Sequence, residues 1–326
     1  MSRLLLMVQP ALLNLQTATI GLTPLIYAIQ GGHMHIVEFL IEHNCDVNLG
    51  RLDNGVTPIF TAAVFTVEAD EGRGMAMLET LLRAGANANH VTFGELKEKL
   101  TPLLYLATTN VEGCKLLGCF GAELDCTDSE GQTVAQYAES TKQADVLAWI
   151  EACKSFNQLQ IAVHAGRGDT LGFLLAQDGV DVNKPKAYLG DTPLIIACSI
   201  GNLSIVKILL APGWTQDRLM VGKGGLAVDL NMVDKDGNTA LIVAVLKGHT
   251  AVVAALLDAK EQNEHIINAI NVSVQDNKGY TAHHYATTLH PNTFTPETLA
   301  RLLPLPIVGG SPMATLALDI PIQTVW

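Results

Sequence analysis

The stretch TPLIYA at residues 23–28 returns, with small changes, along the whole chain. It recurs as TPIFTA at 57–62, TPLLYLA at 101–107, TVAQYA at 133–138, TPLIIA at 192–197, TALIVA at 239–244 and TAHHYA at 281–286. NQLQIA at 157–162 keeps the register, with Asn157 where Thr stands elsewhere. The starts are separated by 34, 44, 32, 24, 35, 47 and 42 residues, a period near 33 broken by insertions and by one contraction. Self-similarity at such a period marks an architecture whose units bury their apolar faces only against one another.

The first copy shows the physics of the unit. Thr23 can cap a helix N-terminus with its hydroxyl, and Pro24 falls at the first helical position, where its missing N–H costs little. Leu25 and Ala28 give that short helix an apolar side, and Gly31 and Gly32 stop it and reverse the chain. In GGHMHIVEFL at 31–40 and the residue after it, Ile36, Val37, Leu40 and Ile41 form one stripe of a second helix. CDVN at 45–48 then turns toward the next unit.

These residues resemble the ankyrin repeat, whose pattern runs T-P-L-H-x-A, a Gly-His turn, an apolar second helix and G-A-D-V-N. LLRAGANAN at 81–89 and LLAQDGVDVN at 174–183 match its end, and GNLSIVKILL at 201–210 and KGHTAVVAALL at 247–257 its middle. The resemblance covers roughly residues 20–304 and implies an all-α repeat solenoid, each unit a helix-turn-helix plus a β-hairpin or loop, with irregular insertions. The expected organisation is a capping segment over 1–20, repeats one to four over 21–155, repeats five to eight over 156–304 and an apolar tail over 305–326. The segment VFTVEADEGRGMA at 64–76 implies an extended first helix or a protruding loop in the second repeat. Insertions also follow Ala211 and Lys260, and the missing hairpin after VLAWIEACKS predicts a break in the stack near 153–157.

Composition narrows the function. The chain is 48% hydrophobic and 16% charged, against a typical charged share of about 25%. Twenty Lys and Arg against 32 Asp and Glu give a net charge of −12, with the basic residues scattered, so no nucleic-acid or anionic-membrane footprint is expected. No run approaches the ~18 apolar residues of a membrane span. Six cysteines without a CxxC pair suit a reducing compartment and a core role, and a cytoplasmic location is the expectation.

Candidate chemistry is sparse, and no catalytic residue, metal or cofactor is expected. His33 and His35 look like a metal pair. However, two residues apart on a helix they face different ways, and His33 takes the turn place where the ankyrin pattern prefers His for hydrogen bonds to neighbouring backbone. His249 occupies the same place. The cysteines lack both a zinc spacing and a nearby base in sequence, and Gly222-Lys223-Gly224-Gly225 lacks the strand and helix of a phosphate loop. Asn48, Asn89 and Asn183 resemble the setting in which ankyrin asparagines are hydroxylated.

The resemblance implies a non-catalytic scaffold, monomeric, that binds a partner protein through a groove built from hairpin tips and first helices. The alternative is a host-directed effector whose repeats recognise substrate for a modifying or hydrolytic activity. Mapped onto this chain, the groove positions are Gln30, Phe65 and Asn110 in the first three repeats. In repeats six to eight they are Tyr188, Leu189, Asp191, Lys235, Asn238, Leu246, Lys247 and Tyr280. Trp214, in the inserted Pro-Gly-Trp loop, is a further candidate anchor.

Overall fold

A computed structural model describes residues 12–93, 99–153, 155–177, 179–187, 189–211, 228–262 and 269–303. Within them the chain forms sixteen helices in eight consecutive pairs. The first four pairs are α1 (Pro24–Gln30) with α2 (Met34–Glu42), α3 (Pro58–Glu68) with α4 (Glu71–Arg83), α5 (Pro102–Leu106) with α6 (Val111–Cys119), and α7 (Val134–Ser140) with α8 (Ala144–Cys153). The second four are α9 (Gln158–His164) with α10 (Gly168–Leu175), α11 (Pro193–Ile200) with α12 (Leu203–Leu210), α13 (Ala240–Leu246) with α14 (Thr250–Gln262), and α15 (Ala282–Thr288) with α16 (Pro296–Leu302). The first-helix cap works as its sequence implies. Thr23, Thr101, Thr192 and Thr239 each accept from the backbone N–H three residues on, at 3.2–3.3 Å. Asn157 does the same for α9 and completes a capping box with Gln160. Thr57 alone breaks the rule, its buried hydroxyl oxygen having no partner.

The inner first helices are the most buried elements, as in α11, where Pro193 to Cys198 are all buried. Such a helix cannot stand by itself, and the layers it needs are the neighbouring pairs. First helices stack in the order α1, α3, α5 and α7, and again as α9, α11, α13 and α15. Second helices follow in parallel order: α2, α4, α6 and α8, then α10, α12 and α14. The insertion at 64–76 is helical: α3 runs on to Glu68 and α4 starts at Glu71. Gly74 lets the lengthened helices touch, since a Cβ there would stand 2.4 Å from Thr66 Oγ1. The hairpins are turns rather than strands; the described residues contain only the isolated bridges Thr127 with Thr133 and Val233 with Thr239.

The contraction reroutes the stack. Residues 154–157 join α8 to α9, whereas residues 43–57 and 176–192 make the corresponding connections elsewhere. A chain spans at most roughly 3.3–3.6 Å per residue, too short here to run out along a hairpin and return beside α7. Helix α9 therefore docks chiefly on α6, with a smaller contact to α8, so the fifth pair sits against the back of the third. Trp149 fills this joint. A Cβ on Gly118 of α6 would lie 2.9 Å from its Cζ2 and 3.4 Å from Ile161 Cγ2 of α9. Phe120 and Phe173 meet with ring centroids 5.7 Å apart, and Arg83 lies 5.0 Å over Phe173. Arg167 Nη2 donates to the Glu112 carbonyl at 3.2 Å.

Toward the N-terminal end of the described residues, Leu13 is buried, and Asn14 accepts from the Asp46 N–H of the first repeat at 2.8 Å. The tail at 305–326 lies outside the described residues. Replacing Trp149 by Ala is expected to cost about 3–5 kcal/mol. Trp149→Phe should cost less, because the buried indole N–H has no hydrogen bond to lose. Urea unfolding followed by circular dichroism orders the two variants.

Candidate interaction surface

Two backbone-directed devices align the turn tips, where the groove was expected. The first is a row of asparagines at the repeat ends. Asn89 Nδ2 donates to the Gly121 carbonyl and its Oδ1 accepts from the Glu123 N–H, each at 2.8 Å. Asn48 reaches Gly85 at 3.2 Å and Asn87 at 2.8 Å, and Asn231 reaches Ala269 at 3.0 Å and Asn271 at 2.7 Å. Asn183 accepts from the Asp229 N–H at 2.9 Å. One planar amide thus satisfies a donor and an acceptor of the next turn. The amides of Asn48 and Asn89, read as hydroxylation candidates, are occupied in this ladder.

The second device is backbone to backbone at the outermost tips. Leu52 N–H donates to Ile20, Phe93 to Asn54, Lys235 to Leu189 and Asn277 to Asp236, at 2.8–3.1 Å. Inside two of these turns, and in the turn at 127–133, an aspartate gathers the loop. Asp276 Oδ1 accepts from the Lys278 and Tyr280 N–H groups, and Tyr285 donates to its Oδ2 at 2.6 Å. Asp128 is held alike by Tyr137 at 2.8 Å, and Asp234 by the Asn238 amide at 3.0 Å.

The predicted residues divide accordingly. Leu189, Asp191, Lys235, Asn238 and Tyr280 come together on successive tips. Lys235 and Tyr280 are exposed, and the Tyr280 ring stacks on His284 with centroids 4.3 Å apart. Asn238 is turned inward onto Asp234. Leu246 and Lys247 sit at the far end of α13, where Lys247 is exposed and Leu246 packs on the core. Gln30 is exposed at the end of α1. Phe65 is half-buried against Gly32 because α3 continues beyond it. Asn110 differs from its expectation: it is buried, caps α6 through Gly113 at 2.6 Å and donates to Glu71 at 2.8 Å, so it serves the fold. Tyr188 and Trp214 lie outside the described residues.

The sequence reading missed the tips of the first repeats. Leu52 is 59% exposed and Phe93 50%, with Tyr27 and Val91 also open. The available signal was an apolar residue beside a turn, as in Leu52-Asp53-Asn54-Gly55.

Of the remaining candidates, Gly222-Lys223-Gly224-Gly225 lies outside the described residues, and the turn histidines divide. His249 Nε2 donates to the Ser199 carbonyl and His290 Nε2 to that of Leu246, tying each turn to the preceding first helix. His33 makes no such bond, since its pair has no preceding first helix among the described residues. No group of three or more His, Cys, Asp or Glu among the described residues could hold a metal ion. The cysteines are free and, apart from half-buried Cys126, buried. Cys153 lies 3.9 Å from His164 Nδ1. Burial pushes that thiol up to about 12 and the imidazole below its usual range, the reverse of an activated nucleophile.

Helix pairs stacked side by side and laced at their tips define a repeat solenoid of the protein-interaction class. A family model of ankyrin repeats matches in three copies, over residues 2–70, 159–265 and 218–295, and the chain belongs to the ankyrin repeat family. No curated protein matches it. The interval between the first two matches, residues 71–158, contains the contraction. No helix among the described residues is long and apolar enough to cross a membrane.

Asn89→Ala removes both bonds of its rung and is expected to destabilise by about 1–3 kcal/mol, read from the urea midpoint. Asp191 gives a pH test. Burial, then the nearby Asp234 charge, raises its carboxyl above the ordinary 3.8, against the opposing pull of Lys186 and Lys235. A raised folded-state value means the contribution to stability is fully present below the unfolded value and lost as pH rises through the folded one. Asp191→Asn should therefore raise Tm at neutral pH, with the gain vanishing below the ordinary carboxylate range; a pH series of thermal melts reads it.

Proposed function

We propose that the chain is a non-catalytic interaction scaffold whose partner protein docks along the turn tips of the sixth to eighth repeats. The observation that carries this reading is the cluster of Asp191, Lys235 and Tyr280 on tips held in line by backbone bonds. Tips fixed in this way present side chains at little further ordering cost, which favours binding. Tyr280 supplies the flat, amphipathic contact that interfaces concentrate.

Lys235→Glu with Tyr280→Ala tests the surface without touching the core, since both side chains are exposed. Affinity purification with quantitative mass spectrometry should recover a partner on the wild type and lose it about tenfold or more on the double variant, the effect of losing ~1.4 kcal/mol. Equal recovery on both sinks the assignment. A second reading places the partner on the first repeats, where Leu52 and Phe93 are the exposed apolar tips. Loss of the partner only in Leu52→Asp with Phe93→Asp identifies that surface instead.

A further inference from the structure

Where α9 docks on α6, the stack leaves an open cleft of about 780 Å³. Its floor is apolar, formed by Ile150, Leu159, Ile161 and Leu174. Its lining also carries the carboxylates of Glu123 and Asp125 on the third repeat's turn and of Asp181 on the fifth, together with Lys184. The volume lies within the ~300–1,000 Å³ of ligand sites.

The cleft falls where the asparagine ladder stops. Asp125 occupies, four residues after Gly121, the place that Asn89 holds after Gly85 and Asn183 after Gly179. A carboxylate cannot donate, so it cannot bridge to a carbonyl as Asn89 does. On the other side, the N–H of Asp181 corresponds to those of Asn87, Glu123, Asp229 and Asn271, each bonded by an asparagine. Among the described residues no side chain bonds the Asp181 N–H or the Gly179 carbonyl. Among the described residues, the missing hairpin of the fourth repeat thus leaves an apolar space, a backbone donor and acceptor without a side-chain partner, and three carboxylates against one lysine.

We propose that this cleft binds an extended polypeptide segment of a partner protein, with apolar side chains flanked by Lys or Arg, that takes the place of the absent hairpin. Its apolar groups cover the floor, its cations meet Glu123, Asp125 and Asp181, and its amide groups complete the rung at Gly179 and Asp181. The site is separate from the tip surface of repeats six to eight, and the two can be occupied together.

The test is selection from a displayed random nonapeptide library against the full chain, followed by fluorescence anisotropy of the selected peptides. The expected consensus carries apolar residues flanked by Lys or Arg, and hydrogen exchange at the Asp181 amide slows on binding. Glu123→Lys with Asp181→Lys, both exposed positions, should weaken binding about tenfold or more and flatten its salt dependence. The Lys235→Glu, Tyr280→Ala variant should bind as the wild type does. The proposal is overturned by selection of no binder, by an acidic consensus, by equal affinity in the Glu123→Lys, Asp181→Lys variant with its melting curve unchanged, or by loss of binding in the tip variant alone. Sedimentation showing instead a dimer that the Glu123→Lys, Asp181→Lys variant abolishes assigns the cleft to a second copy and also overturns it.

Discussion

The length of chain between one helix pair and the next governs this molecule. A first helix such as α11, buried from Pro193 to Cys198, has no solvent-tolerant side and must lie between two others. Only a connection long enough to run out and back can put it there. Residues 43–57 and 176–192 provide that length, and α3 and α11 take their places beside α1 and α9. Residues 154–157 do not provide it, and α9 finds its burial on α6. Hydrophobic burial is non-directional, so the apolar demand is met either way. What changes is which surfaces remain open.

The polar groups of the connections impose the second condition. A turn has few internal partners for its N–H and C=O groups, and a stack of turns repeats the shortage at every level. Asparagine answers it because one amide carries a donor and an acceptor in a plane, as Asn89 does for Gly121 and Glu123. The same logic explains Asp276 and Asp128, acceptors closed over turn N–H groups and steadied by a tyrosine hydroxyl. Such turns are rigid without being strands, which is why the β-hairpins implied by the repeat pattern are reduced to two isolated bridges among the described residues.

Local chemistry made the helices legible in the sequence. A Thr-Pro pair, an apolar run and a glycine turn act over a few residues, and their geometry is the same in every copy. The contraction at 153–157 was legible as a break because spacing is also a one-dimensional quantity. The new contacts of α9 were not, since they depend on what α6 exposes: Gly118, with room for Trp149. The site residues show the same division. Lys235 and Tyr280 fall on exposed tips because tip positions follow from register alone. Asn110 became a buried cap because its side chain met Gly113 locally and Glu71 from the preceding pair. Phe65 was half-covered because α3 gained an extra turn. Leu52 and Phe93 were passed over because inserted residues moved them away from the pattern's usual variable positions.

The two proposed surfaces arise in physically different ways. The tips of repeats six to eight are a regular product of the repeat, in which backbone bonds fix the spacing and side chains vary freely. The acidic cleft is a product of the irregularity, left over when a hairpin too short to form was replaced by direct helix docking. A regular stack satisfies its own turns from one end to the other. Where Asp125 stands in place of asparagine and no described side chain bonds the Asp181 N–H, the polar groups of two turns border a shared apolar space. Polypeptide is the chemistry that carries both the amide groups and the apolar side chains to fill such a space, and at a net charge of −12 the chain favours a cationic one.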